Sequence, residues 1–199
     1  MDTNYIQCAM NGRLYRDSSL GIWDDGEWIS WEYIENHLED LEKHAEYPHA
    51  DMAIINLFET LVEAARDYYA LTDRHLEIWG ELGELYAEIK YGVKRYPLHH
   101  AGSDGTLNGE DIEIKTISPL KRNDQVVVKK TGSFKKLLIV KIAASYTFDS
   151  ILIDRRLLRG GSGDLLKARW RDHANNAKDF PEENRFARLS DALRASEEE

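Results

Sequence analysis

One cysteine, Cys8, stands alone among 199 residues, which excludes an internal disulfide framework and a multi-cysteine zinc site. Histidines are present, but His37, His44, His49 and the pair His99-His100 lack the spacing of a zinc site. No apolar run approaches the roughly 18 residues needed to cross a bilayer. Residues 1–12 lack the basic-then-apolar order of a signal peptide. The expected location is the cytoplasm, with no membrane contact. Gly160-Gly161-Ser162-Gly163 is not followed by the Lys-Ser/Thr pair of a phosphate loop, and reads as a hinge. Positive charge is short overall: 26 Lys and Arg face 36 Asp and Glu, a formal net of −10. On its face, that argues against a nucleic-acid partner.

What is there changes the reading. Hydrophobic residues make up 42% and charged residues 31%, the balance of a soluble globular protein of ordinary domain size. The charge is segregated: residues 1–89 carry a net of −15, residues 90–145 a net of +6, and residues 146–199 a net of −1. A basic middle third inside an acidic chain is a local footprint for a polyanion. Global charge tunes non-specific affinity and its salt dependence, and does not veto a local site.

Glycines and polar residues over the first 30 positions predict short strands and turns, followed by a helix over residues 31–46 that Pro48 ends. Ile54, Leu57, Phe58, Leu61, Ala65, Tyr68 and Tyr69 recur at helical spacing through residues 51–70. A further helix over residues 73–91 has Leu76, Trp79, Leu82, Leu85, Tyr86 and Ile89 as its buried stripe and Gly92 as its stop. Strands follow at residues 110–117, 125–130, 135–144 and 148–158. Thr131-Gly132-Ser133 reads as a hairpin turn joining the second and third of these. Residues 164–177 and 184–195 read as helices. The expected organisation is a strand and helix addition over 1–50, an α/β core over 51–160 and a helical segment over 161–199.

The chemistry-bearing pattern lies in the basic third. Ala101-Gly102-Ser103-Asp104-Gly105 is a loop, and nine residues after Asp104 comes Glu113-Ile114-Lys115. Alternate side chains of a strand share a face, so Glu113 and Lys115 stand side by side while Ile112 and Ile114 enter the core. Asp104, on the strand or loop before, reaches Glu113 by ordinary antiparallel pairing. Mg²⁺, or Mn²⁺, is a hard cation that takes one or two carboxylates and keeps several waters. Asp104 and Glu113 can supply those carboxylates, with the Ile114 carbonyl beside them. Lys115 can orient or deprotonate an attacking water, or neutralise charge developing on a phosphoryl group.

An Asp, a short span, then Glu-x-Lys on a strand resembles the PD-(D/E)xK nuclease superfamily, with its restriction-endonuclease-like fold. Ser103 stands where that pattern has proline. The resemblance implies a mixed β-sheet flanked by helices. It also implies a glutamate on the preceding helix in a Gly-Glu context, and Gly83-Glu84 matches. Glu84 would then be a third metal carboxylate or support one, with Glu81 its substitute one turn away. Glu77, Glu81, Glu84 and Glu88 fall along one stripe, whose other reading is a solvated face. Lys129, Lys130, Lys135 and Lys136 are the candidates to grip phosphates. The expected activity is metal-dependent hydrolysis of DNA phosphodiester bonds, in a homodimer if both strands are cut. The alternatives are a non-cleaving binding protein of the same fold, and an acidic DNA mimic whose N-terminal part binds a protein partner.

Overall fold

Ser30 starts the first long helix: its Oγ accepts the Tyr33 N–H at 3.1 Å, an N-cap that satisfies one donor of the opening turn. The computed structural model describes residues 5–7, 14–16, 20–24, 27–97 and 100–174. Two compact units divide the chain, residues 1–48 and 49–199. In the first unit β1 (Tyr5–Gln7) pairs antiparallel with β2 (Leu14–Arg16), and β3 (Gly21–Asp24) with β4 (Glu27–Ser30). Helix α1 (Trp31–Glu46) follows, and Lys43 braces it on Glu39 one turn earlier at 2.8 Å.

The second unit begins with α2 (Met52–Thr72), capped by Asp51, whose Oδ1 accepts the Ala53 N–H at 2.8 Å. Ile55, Val62 and Ala65 are the buried face of this helix. α3 (Trp79–Tyr91) is shorter than the 73–91 expected from periodicity. Asp73 takes a left-handed conformation, φ 55°, and closes α2, while residues 74–78 run outside either helix. The apolar rhythm passes through this break, so periodicity alone cannot mark it. Gly92, φ 68°, closes α3 as expected, donating to the carbonyls of Ala87 and Glu88.

Strands β5 (Lys94–Arg95), β6 (Gly105–Leu107), β7 (Glu110–Ile117), β8 (Gln125–Lys129), β9 (Lys136–Ile142), β10 (Phe148–Asp154), β11 (Arg159–Gly160) and β12 (Leu165–Arg169) complete the unit with a short helix, α4 (Trp170–His173). Among the described residues these strands form two sheets. One has the order β10-β9-β7-β6-β5, with β7 and β9 parallel and the other neighbours antiparallel; the other has the order β11-β12-β8. The class is mixed α/β.

Two expectations fail here, each for a physical reason. β8 and β9 are not a hairpin: β8 pairs with β12, and β9 lies parallel to β7. Leu137, Leu138, Ile139 and Val140 are buried at four successive positions, so β9 needs cover on both faces and takes a central place. β8 alternates, with Val126 and Val128 buried and Val127 44% exposed, which suits a sheet with one wet face. Where a helix was expected over residues 164–177, Leu165–Arg169 is strand β12, and helix appears only over Trp170–His173; residues 175–177 lie outside the described residues. Leu166, Ala168 and Trp170 pack into the core at period two, a rhythm that the intervening charged residues disguise as helical. Gly160 ends β11, and Gly161–Gly163 lies in the turn between β11 and β12. Residues 184–195 lie outside the described residues.

The core has two halves, one on each face of the five-stranded sheet. Ile112, Ile114, Leu138 and Val140 pack with Leu82, Ala87, Val62 and Ala65 of α3 and α2. Ile117, Leu137, Ile139, Ile151 and Ile153 pack with Val126, Val128 and Ala168 of the second sheet. Helices, sheet and smaller sheet are therefore three layers. α3 comes unusually close to β7: a Cβ on Gly83 would fall 2.0 Å from Thr116 Oγ1, so only glycine fits there. Among the described residues no helix is long and apolar enough to cross a membrane.

Candidate metal centre

Asn108-Gly109 makes the turn between β6 and β7, with φ of 53° and 80°, the left-handed pair that a two-residue hairpin requires. That turn fixes the register Gly105↔Ile112. The Asp104 N–H donates to the Ile112 carbonyl at 2.9 Å and the Asp104 carbonyl accepts the Tyr96 N–H at 2.9 Å. The Asp104 backbone is thus held on both sides, and its side chain is delivered beside the Glu113–Lys115 stretch of β7. Tyr96 and Ser133 both donate to the Asp111 carboxylate, at 2.9 and 3.0 Å, and the Ser133 N–H donates to the Gly102 carbonyl at 2.9 Å. These bonds tie the Asp104 loop to the strand it serves.

β6 begins at Gly105, so the edge of β7 beyond Ile112 has no strand partner on that side. Asp104 fills the gap. Its Oδ2 accepts the Ile114 N–H at 2.7 Å, and the Ile114 carbonyl on the same edge accepts Lys115 Nζ at 3.0 Å. The same ammonium lies 2.6 Å from Glu113 Oε1 and 3.5 Å from Asp104 Oδ2. One cation therefore sits among two carboxylates and a main-chain carbonyl, with Glu113 only 15% exposed. Both carboxylates thus converge on one nitrogen, Oε1 of Glu113 closer than Oδ2 of Asp104. Burial alone would lower the Lys115 pKa, but its hydrogen bond to Glu113 and the charges of Asp104 and Glu113 raise it above the ordinary lysine value. Lys115 is held as ammonium.

Glu84 comes toward this group without touching it. Burial raises its pKa first, and the Asp104 and Glu81 charges raise it further, against the lowering effects of Arg95 and Lys115. Arg95 gathers the acidic stripe of α3: it binds Glu81 and Glu88 at 2.7 Å each and lies 3.9 Å from Glu84. Glu81 is therefore engaged with Arg95, and Glu88 is not a free solvated residue. Sequence reasoning missed Arg95, because a two-residue strand leaves no periodic signal; its register partner, Gly105, is the neighbour of Asp104.

The four lysines proposed to grip phosphates do not flank a hairpin but span the link between the two sheets. Lys129 ends β8, Lys130 donates to the Gly163 carbonyl at 2.8 Å, Lys135 is exposed, and Lys136 pairs with Glu110 at 3.1 Å. Ser103, where the superfamily pattern has proline, is 3% exposed, and its hydroxyl finds no partner among the described residues. Among the described residues no three His, Cys, Asp or Glu side chains are gathered around one point. The donor set is two carboxylates plus a carbonyl, which matches what Mg²⁺ asks of a protein when water completes its shell. No known family model and no curated protein matches the chain.

Proposed function

We propose that this protein is a divalent-metal-dependent nuclease of the PD-(D/E)xK type that hydrolyses DNA phosphodiester bonds. The restriction-endonuclease-like arrangement is part of that proposal, with α3 and the β5–β7 and β9–β10 sheet as its core. The observation that carries it is the Lys115 ammonium, seated among the Asp104 carboxylate, the Glu113 carboxylate and the Ile114 carbonyl. Three oxygens that already surround one cation are a donor set for another.

Mg²⁺ or Mn²⁺ at that position supplies Lewis-acid polarisation and a coordinated water of lowered pKa. Asp104 and Glu113 would hold the ion, with the Ile114 carbonyl as a third oxygen. With the carboxylates engaged by such an ion, the Lys115 ammonium would be free to face the substrate phosphate and stabilise charge that develops on the phosphoryl oxygens. A protonated lysine favours this role over proton abstraction from water. Glu84, more willing than an ordinary carboxylate to hold a proton, lies within range of the Asp104 and Lys115 charges and would position a water of such an ion's shell. The Arg95 charge offsets part of the repulsion that Glu84 feels from Asp104 and Glu81.

The test is hydrolysis of plasmid and oligonucleotide DNA by the full chain with Mg²⁺ or Mn²⁺. Glu113→Gln keeps the shape and removes one charge from the donor set, and is expected to abolish metal-dependent cleavage. A wild-type chain that binds DNA but cleaves nothing with either metal would contradict the enzyme reading and leave the non-cleaving alternative.

A further inference from the structure

An open cleft of about 800 Å³ lies at the end of the five-stranded sheet from which β7 starts. Four cations line it, Lys130, Lys135, Arg155 and Arg156, against two carboxylates, Glu110 and Asp154. Both carboxylates are answered locally: Glu110 by Lys136 at 3.1 Å and Asp154 by Arg156 at 3.2 Å. Arg155 serves as scaffold. Its guanidinium donates to the carbonyls of Lys130, Gly132 and Phe134 and lies over the Phe134 ring, which holds the lysine-bearing link in place. Lys130 bonds one carbonyl, Lys135 makes no ion pair among the described residues, and the Arg156 side chain is 83% exposed. In a chain of net charge −10, this excess of available positive charge is local and shaped.

The cleft is coupled to the metal centre by main-chain bonds. The Ser133 N–H binds the Gly102 carbonyl, two residues before Asp104, and the Lys135 N–H binds the Asp111 carbonyl, two residues before Glu113, at 2.9 and 2.8 Å. Glu110 opens β7 and Glu113 lies three residues along it, roughly 10 Å at the rise of a strand.

We infer that this cleft is a backbone-phosphate site for the strand being cut, roughly 10 Å along β7 from the broken bond. Lys130, Lys135 and Arg156 bind phosphate oxygens, and Arg155 acts through the link it braces. The inference rests on the phosphodiesterase reading of Asp104, Glu113 and Lys115, and adds where the DNA lies.

The experiment is equilibrium binding of a labelled DNA duplex to the full chain, in chelator to prevent cleavage, between about 50 and 200 mM salt. The triple substitution Lys130→Gln, Lys135→Gln and Arg156→Gln is expected to weaken binding and flatten the salt slope by about two to three units, near 0.9 for each phosphate that is no longer neutralised. Lys135→Gln alone, at an exposed position without an ion pair, is expected to remove about one unit and guards against a folding defect in the triple variant. An unchanged slope in both overturns the cleft, and so does a wild-type chain that binds no duplex. A chain that binds with the expected slope change but never cleaves contradicts the nuclease reading and leaves the cleft standing.

Discussion

Replacing Lys115 by Met keeps most of the stem and removes the ammonium, so it isolates the charge. At 2.6 Å from Glu113, the ion pair has a gross Coulomb term of about 6 kcal/mol at an effective dielectric of about 20. The lysine side chain is 35% exposed, so desolvation and solvent screening cancel much of that. About 2 kcal/mol of net destabilisation remains, because two carboxylates are left facing one another without a counter-ion. For a unit of this size that is a fall in Tm of roughly 4–8 °C. Mg²⁺ then takes the vacated position without displacing an ammonium, so it should stabilise Lys115→Met more than wild type and narrow the gap. An ion at about 100 times its Kd contributes about 2.7 kcal/mol. Cleavage should fall by about 10²-fold or more even at saturating Mg²⁺. The assay is thermal unfolding with and without Mg²⁺, beside cleavage rates. A variant that melts at the wild-type temperature without metal would refute the reasoning, and so would equal Mg²⁺ shifts in the two proteins.

Gly83→Ala places a methyl 2.0 Å from Thr116 Oγ1 and should cost about 1–3 kcal/mol by overpacking; Thr116→Ala in the same chain should recover much of it, read by denaturant unfolding. Glu84 is a carboxyl whose folded pKa lies above its ordinary value, so its ionised form weakens the fold as pH rises through that raised pKa. Glu84→Gln should therefore raise Tm at pH 7, lose that gain at and below the ordinary carboxylate range near pH 4, and reduce cleavage; a gain equal at all pH values would contradict the assignment. Ser103→Ala removes a buried hydroxyl that has no partner among the described residues and should stabilise by about 1 kcal/mol, seen as a rise in Tm.

The legible parts were those with a strong local code. The helical spacing of apolar residues over 51–70, the Gly92 stop and the apolar run of residues 137–140 located α2, the end of α3 and β9 within a few residues. The alternation around Ile112 and Ile114 placed Glu113 and Lys115 side by side, and the ion pair between them follows from that pleat. Long-range choices were not legible. Whether β8 joins β9 or β12 depends on which strand needs burial on both faces, a property of the finished layers. Residues 165–169 form a strand because β8 offers an edge, while their own charges suit a helix equally. Arg95 was invisible for the same reason: its hold on Glu81, Glu84 and Glu88 exists only once β5 lies against α3.

The most direct measurement is the position of Mn²⁺ by anomalous scattering in crystals of the wild-type chain. The account predicts one ion within coordinating distance of Asp104, Glu113 and the Ile114 carbonyl, with Lys115 Nζ displaced from Glu113 and Asp104. Manganese bound only elsewhere, or an undisturbed Lys115 beside Glu113 at saturating metal, would contradict it.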